Sequence, residues 1–400
     1  MQTDSPTPAI PRFAIPALSF AAFGSAISLR VTDPLLPRLS VELGVSLGDV
    51  SWVITAFSIA YGVSQLFFGP VGDRFGKYLV NAWACAACAL TALLCALAPN
   101  YPMLLLGRLL AGGTAAAIIP LSMAWIGDAV PYGERQPVLA RFLIGQILGV
   151  SAGSLLGGLA ADYLSWRVPF FCIAAGFVAI STALFSLNRR LPAQVRITRR
   201  TEGSALRRMV TEFGQVLGRR WARVVLITIF FEGAFLFGAF AFIATHLHRV
   251  HQVSLTTAAA LVMLYGFGGL LYAAASRRLV GSLGEKGLAC WGGVLLALSL
   301  FAIAFAPAWW WAIPACFVSG LGFYMLHNTL QMNATQMAPE RRGAALSAFS
   351  AFFYMGQSTG VGLAGLFVGH VGTAAVICAG AGGVLLTGLN FARLLTSRQG

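Results

Sequence analysis

Long apolar runs broken by short polar punctuation dominate the chain, and twelve of them can be marked at roughly 13–35, 50–70, 79–98, 101–126, 142–161, 168–188, 222–245, 255–276, 288–306, 309–331, 344–368 and 372–394. Each approaches the ~20 residues that carry a helix across ~30 Å of hydrocarbon. A helix satisfies its own backbone hydrogen bonds, which lipid cannot do, so the pattern predicts an all-α integral membrane protein with twelve transmembrane helices. One stretch has a different period. Over 205–218, Leu206, Met209, Val210, Phe213, Val216 and Leu217 fall on one helical face, with Arg207, Arg208, Arg219 and Arg220 close by. That reads as an amphipathic helix in the membrane interface, drawn to anionic lipid.

The pattern also repeats. Val45-Ser46-Leu47 returns 208 residues later as Val253-Ser254-Leu255, Gly76 as Gly284, Trp83 as Trp291, Gly112 as Gly320 and Pro131 as Pro339. Further along the offset is 211, where Gly145-Gln146 and Gly149 return as Gly356-Gln357 and Gly360. The second half is a diverged copy of the first, which predicts two pseudo-symmetric six-helix bundles that rock about a central site. The expected division is an N-terminal half over 1–188, a linker with its amphipathic helix over 189–221 and a C-terminal half over 222–400.

Composition agrees: 58% of residues are hydrophobic and 10% charged, too apolar for a soluble chain of this length. The net charge of +14 could suggest a nucleic-acid partner, but its distribution argues against one. Ten arginines lie between 189 and 223, and most other Lys and Arg fall on the same side of the predicted topology, leaving only Arg38, Arg167 and Arg249 opposite. That bias predicts both termini in the cytoplasm of a bacterial inner membrane. The seven cysteines all lie in apolar segments and read as small core residues, Cys85 and Cys88 included. His246, His248 and His251 cluster near an outer loop, with a solvated-loop reading preferred over metal. No metal and no cofactor is expected.

The turn after the second segment reads Gly69-Pro-Val-Gly-Asp73-Arg74-Phe-Gly76-Lys77. It resembles the GxxxDRxGK element of the major facilitator superfamily, in the matching loop. Arg108-Leu-Leu-Ala-Gly112 resembles that superfamily's RxxxG element. Gly149-xxx-Gly153-Ser154-xx-Gly157-Gly158 resembles the fifth-helix element of its twelve-helix drug:proton antiporter branch, with Ser154 where that branch has Pro. The resemblance implies a gating loop in which Asp73 caps a helix terminus and Asp128 pairs with Arg74 or Lys77. Close packing alone also explains the fifth-segment glycines.

Polar residues inside the apolar segments mark the candidate site. Arg108 needs a partner or a wet cavity, and Asp33 in Arg30-Val-Thr-Asp33-Pro34 is the candidate, although Asp33 can instead pair with Arg30 three residues earlier. Glu232 falls near the middle of the seventh segment with no evident cation at its depth, and is the first candidate to exchange protons. Gln146, Tyr265, Tyr324, His327, Asn328, Tyr354, Gln357 and Arg30 are candidates to line the cavity, helix-to-helix bonding being the alternative. The expected function is proton-coupled export of a small amphipathic compound by alternating access, by a monomer in contact with membrane lipids and with no nucleic-acid partner. The alternative is an uptake symporter for a sugar, organic acid or other metabolite.

Overall fold

The computed structural model describes residues 10–196 and 205–399. These are helical almost throughout, with no strand among the described residues. The first apolar segment forms α1 (Ala14–Arg30), and after a turn over 31–35 the chain resumes as α2 (Leu36–Leu43). Pro34 lies in the break: it has no N–H to donate, and its ring disfavours helical backbone at Asp33. There follow α3 (Leu47–Phe75), α4 (Lys77–Ala96), α5 (Tyr101–Ala115) continued by α6 (Ile118–Ala129), α7 (Tyr132–Tyr163) and α8 (Val168–Arg190). The linker contributes α9 (Ala205–Gly218). The second half holds α10 (Arg220–Phe240) continued by α11 (Ile243–His251), α12 (Leu255–Phe305), α13 (Ala312–Gln336) and α14 (Arg342–Gln399).

Among the described residues, nine helical stretches are long and apolar enough to cross a membrane. Two of them cross twice, because α12 folds back at Gly284 (φ 61°) and α14 at Gly372 (φ 81°), backbone that a Cβ strains. With the α1–α2 pair this makes twelve transmembrane helices in two six-helix bundles.

The repeat is visible in the contacts. A Cβ at Gly112 would strike the Phe57 carbonyl, and a Cβ at Gly320 would strike that of Tyr265, at the same offset. Gly145 abuts Ser19 and Gly149 abuts Phe23, while in the second half Gly356 abuts Phe230 and Gly360 abuts Ala234. Small residues therefore let α5 lie on α3, and α7 on α1, at backbone distance, and each seam recurs in the copy. Gly153 and Gly157 extend the α7–α1 seam along Ile27 and Val31.

The start of α1 and the last turns of α14 lie at one end of the bundles, here the terminal end, where Tyr78 donates to the Ala14 carbonyl (3.2 Å) and Trp221 stacks on Phe391 (6.0 Å). The halves meet along α3 with α14 and α7 with α12. Those contacts concentrate toward the far end and the middle: Gly48 against Gly365, Ser358 donating to the Thr55 carbonyl (3.2 Å), and Ser151 donating to that of Met263 (3.2 Å). Toward the terminal end, nothing lies within 4 Å of a Cβ built at Gly69 on α3.

The linker helix departs from the interfacial reading. α9 packs on α14, α10 and α3, with Val216 fully buried, while Val210 and Leu217 stay exposed. Arg341 pairs with Glu212 (3.0 Å) and Arg219 with Glu340, tying it to the second half. Its apolar face is shared between protein and surroundings. The 197–204 stretch and the side chains of Leu206, Arg207, Arg208 and Met209 fall outside the described residues.

Candidate functional site

The break after α1 leaves carbonyls near its end without helical donors. Arg108, on α5 and 1% exposed, reaches across to them. It donates to the carbonyl of Ser28 (2.9 Å), the carbonyl of Val53 on α3 (3.3 Å) and the Thr32 hydroxyl (3.4 Å), and its guanidinium lies 4.2 Å from the Phe57 ring centre. The expected Arg108–Asp33 ion pair is absent. The Ser28 carbonyl freed by the break, the Thr32 hydroxyl and the Val53 carbonyl on α3 have taken the guanidinium, so Arg108 braces α1, α3 and α5.

Asp33 pairs instead with Arg30 (3.4 Å), as its i,i+3 spacing allowed. Arg30 is 4% exposed and also donates to Gln357 on α14 (3.4 Å). Its guanidinium lies 4.0 Å from the centre of the Phe237 ring on α10, a cation–π contact. Gln357 is fully buried and donates to the Ser58 hydroxyl on α3 (2.8 Å). Arg30 and Gln357 thus join the two halves at mid-depth. Arg30 Nε and Asp33 Oδ1 find no hydrogen-bond partner among the described residues, so this polar knot is only partly satisfied.

Glu232, on α10, is fully buried, and the sequence suggested no cation at its depth. The structure supplies one candidate: His327 on α13, whose Nδ1 lies 2.8 Å from Glu232 Oε2. Either atom can be the donor, depending on where the proton sits. The His327 side chain keeps 16% of its surface accessible against 0% for Glu232, so it stands between the carboxyl and open space. Its ring stacks on Phe323 (4.7 Å) and meets Phe353 edge-on (4.9 Å). The aromatic wall continues through Tyr265 and Phe240 (4.9 Å) toward Arg30.

The remaining candidates are dispersed around this centre. Tyr354 packs at a tilt on Tyr61 across the halves (4.4 Å), and Tyr324 packs edge-on against Phe323 (5.0 Å). Asn328 donates back to the Tyr324 carbonyl one turn earlier (2.9 Å), and Gln146 is half-buried on α7. In the turn after α3, Lys77 pairs with Asp128 (2.5 Å) and Asp73 (3.5 Å), and Arg74 lies over Phe75 (5.1 Å). Gly76 takes the positive φ (92°) that the turn requires. Asp73 caps no helix of the other half here. Gly158 faces Ala259 and Leu255 on α12, so it serves the seam between halves and not the α7–α1 seam of its neighbours. Of the three outer histidines, His246 bonds Thr373 (2.9 Å) and His248 the Val253 carbonyl (2.7 Å). No group of three metal-ligating side chains gathers among the described residues.

Sequence reasoning missed Phe237, Ser58 and Thr32, which act only through contacts between helices. Their one signal was position, since Ser58 and Thr32 are hydroxyls inside apolar runs.

Comparison with known proteins follows from this geometry. The profile of the Major Facilitator Superfamily matches residues 18–349. The uncharacterized MFS-type transporter YceJ of Bacillus subtilis is 26% identical over 340 residues, 83% of each chain. The multidrug export protein EmrB of Escherichia coli is 28% identical over 184 residues, 46% of this chain and 36% of that one. Among solved structures, the nucleoside transporter NupG superposes with a TM-score of 0.76 at 15% identity, covering 96% of this chain and 98% of its own. Twelve helices in two copied bundles, a polar knot where the bundles meet and a family match over most of the length place this multi-pass membrane protein in the major facilitator superfamily, as a transporter of small molecules.

Proposed function

We propose that the protein exports a small amphipathic compound in exchange for protons. The observation that carries this reading is the Glu232–His327 pair: a fully buried carboxyl at 2.8 Å from an imidazole that still touches open space. Such a pair can accept a proton from one side and hold it out of water. The neighbouring aromatic wall suits an amphipathic ligand with a flat apolar body. Export is supported by the 28% identity to a multidrug exporter. Asp33 and Arg30 act as a charge switch between the halves, and Arg108 braces it. Gln146, Tyr265, Tyr324, Asn328, Tyr354 and Gln357 line the route. The termini face the cytoplasm of a bacterial inner membrane, and the working unit is a monomer with halves 1–188 and 222–400 joined by 189–221.

A pH difference of one unit supplies ~1.4 kcal/mol per proton. Proteoliposomes with an acidic interior should therefore accumulate a fluorescent quaternary amine, whose fixed charge a pH difference alone cannot trap, and a protonophore should abolish the uptake. Glu232→Gln should lose uphill accumulation while still binding the amine. If that variant accumulates it at the normal rate with unchanged pH dependence, Glu232 is not the proton carrier.

A further inference from the structure

The seam at Gly158 also carries a hydrogen-bonded junction between the halves that centres on Asp162. Asp162 sits one residue before the end of α7, at the far end. Its carboxylate accepts from the backbone N–H of Thr256 (2.6 Å) and of Leu255 (3.2 Å) on the other half. These are the first two N–H groups of α12, which have no partner inside their own helix. Ser254 takes the third, accepting from the Thr257 N–H (3.0 Å). In return, the Thr256 hydroxyl donates to the Gly158 carbonyl on α7 (3.1 Å). Gly158 permits this because a Cβ there would strike Ala259 and Leu255.

The placement of Asp162 is unfavourable for its own helix. A carboxylate in the last turn faces the negative end of the α7 dipole. What stabilises it is the positive N-terminus of α12, across the seam. These bonds exist only while the far end is shut: a rocking motion that opened it would break all three and return the groups to water.

We propose that Asp162 is a positioning residue of the transport cycle, capping α12 across the halves and thereby holding the protein in the form closed at its far end. The inference rests on alternating access but not on the identity of the exported compound or on proton coupling. By acting on the balance between the two forms, Asp162 sets how much protein waits with the site reachable from the terminal end.

The test is a pair of distance distributions by electron spin resonance on the purified full chain, with no substrate and no pH gradient. Spin labels at Val41 and Val250, both exposed, report the far end, and labels at Phe75 and Val280 report the terminal end. Losing a cap of this kind shifts such an equilibrium by about tenfold. Asp162→Ala should lengthen the far-end distances and shorten the terminal-end ones. Asp162→Asn, which keeps an acceptor oxygen, should stay close to the parent. A lower melting temperature for Asp162→Ala with both distributions unchanged would overturn the proposal, leaving Asp162 a static contact. Should Asp162→Ala not fold, Leu255→Pro removes one of the two N–H donors to Asp162 at the first position of α12, where Pro is tolerated, and unchanged distances there would overturn it equally.

Discussion

Arg108 has three acceptors on two neighbouring elements and no carboxylate among them. Removing it would leave the buried Ser28 carbonyl without a donor, at a cost of about 1–3 kcal/mol. Arg108→Ala should melt well below the parent protein in detergent. Arg108→Lys should recover little, since one ammonium on a flexible stem cannot span two carbonyls as a planar guanidinium does. A Lys variant as stable as the parent would show that charge alone matters. The sequence revealed that Arg108 needed company, because a lone guanidinium in an apolar run always does. It could not show which company. Asp33 was the obvious acid, but the break around Pro34 also frees carbonyls, and a backbone oxygen leaves no mark in a residue list. The same limit hid the His327–Glu232 contact, since the two residues are 95 positions apart and each was noticed only separately.

At the level of helices, glycine position matters more than glycine number. Gly112→Ala and Gly320→Ala would each push a Cβ into a backbone carbonyl at equivalent seams. Each should destabilise its bundle by about 1–3 kcal/mol, the usual cost of overpacking. Gly69→Ala meets nothing within 4 Å and should leave the melting temperature unchanged. Thermal melts of the three variants check this, and a large loss for Gly69→Ala would mean that the form described here is not the dominant one. The seams were the most legible part of the fold, because a glycine needed for backbone contact is preserved in both copies while its neighbours drift. The linker helix was less legible. A stripe of Val and Phe looks the same whether it rests on lipid or on the ends of three helices, and Val216 proves to rest on protein.

For the whole molecule, the two ends carry opposed electrostatic devices. At the far end Asp162 is engaged across the halves. At the terminal end the ion pair of Asp73 among the described residues is with Lys77 of its own half (3.5 Å). If Asp73 caps a helix of the second half once the terminal end closes, Asp73→Asn should further populate the form seen here. Its stability in this form should change by less than about 1 kcal/mol, because the Lys77 contact is partly exposed. The terminal-end distances between Phe75 and Val280 would read the shift, and an unchanged distribution would leave Asp73 a surface charge. Orientation is separately checkable in a cysteine-free background: an impermeant thiol reagent outside the cell should label a Cys at 250 and not one at 190. The twelve-helix plan and its duplication could be read from spacing alone. The form in which the halves rest could not, since both forms use the same residues and differ in which contacts are made.

Closure of the far end also decides who can reach the interior. If the termini face the cytoplasm, as proposed above, Arg30, Gln357 and the Glu232–His327 pair are screened from the medium by packed helix. A blocking compound added to intact cells would have to cross the lipid first and then enter from behind. Discovery screens on whole cells would then favour greasy molecules for reasons unrelated to affinity, whereas inside-out vesicles would rank the same compounds by how well they fit.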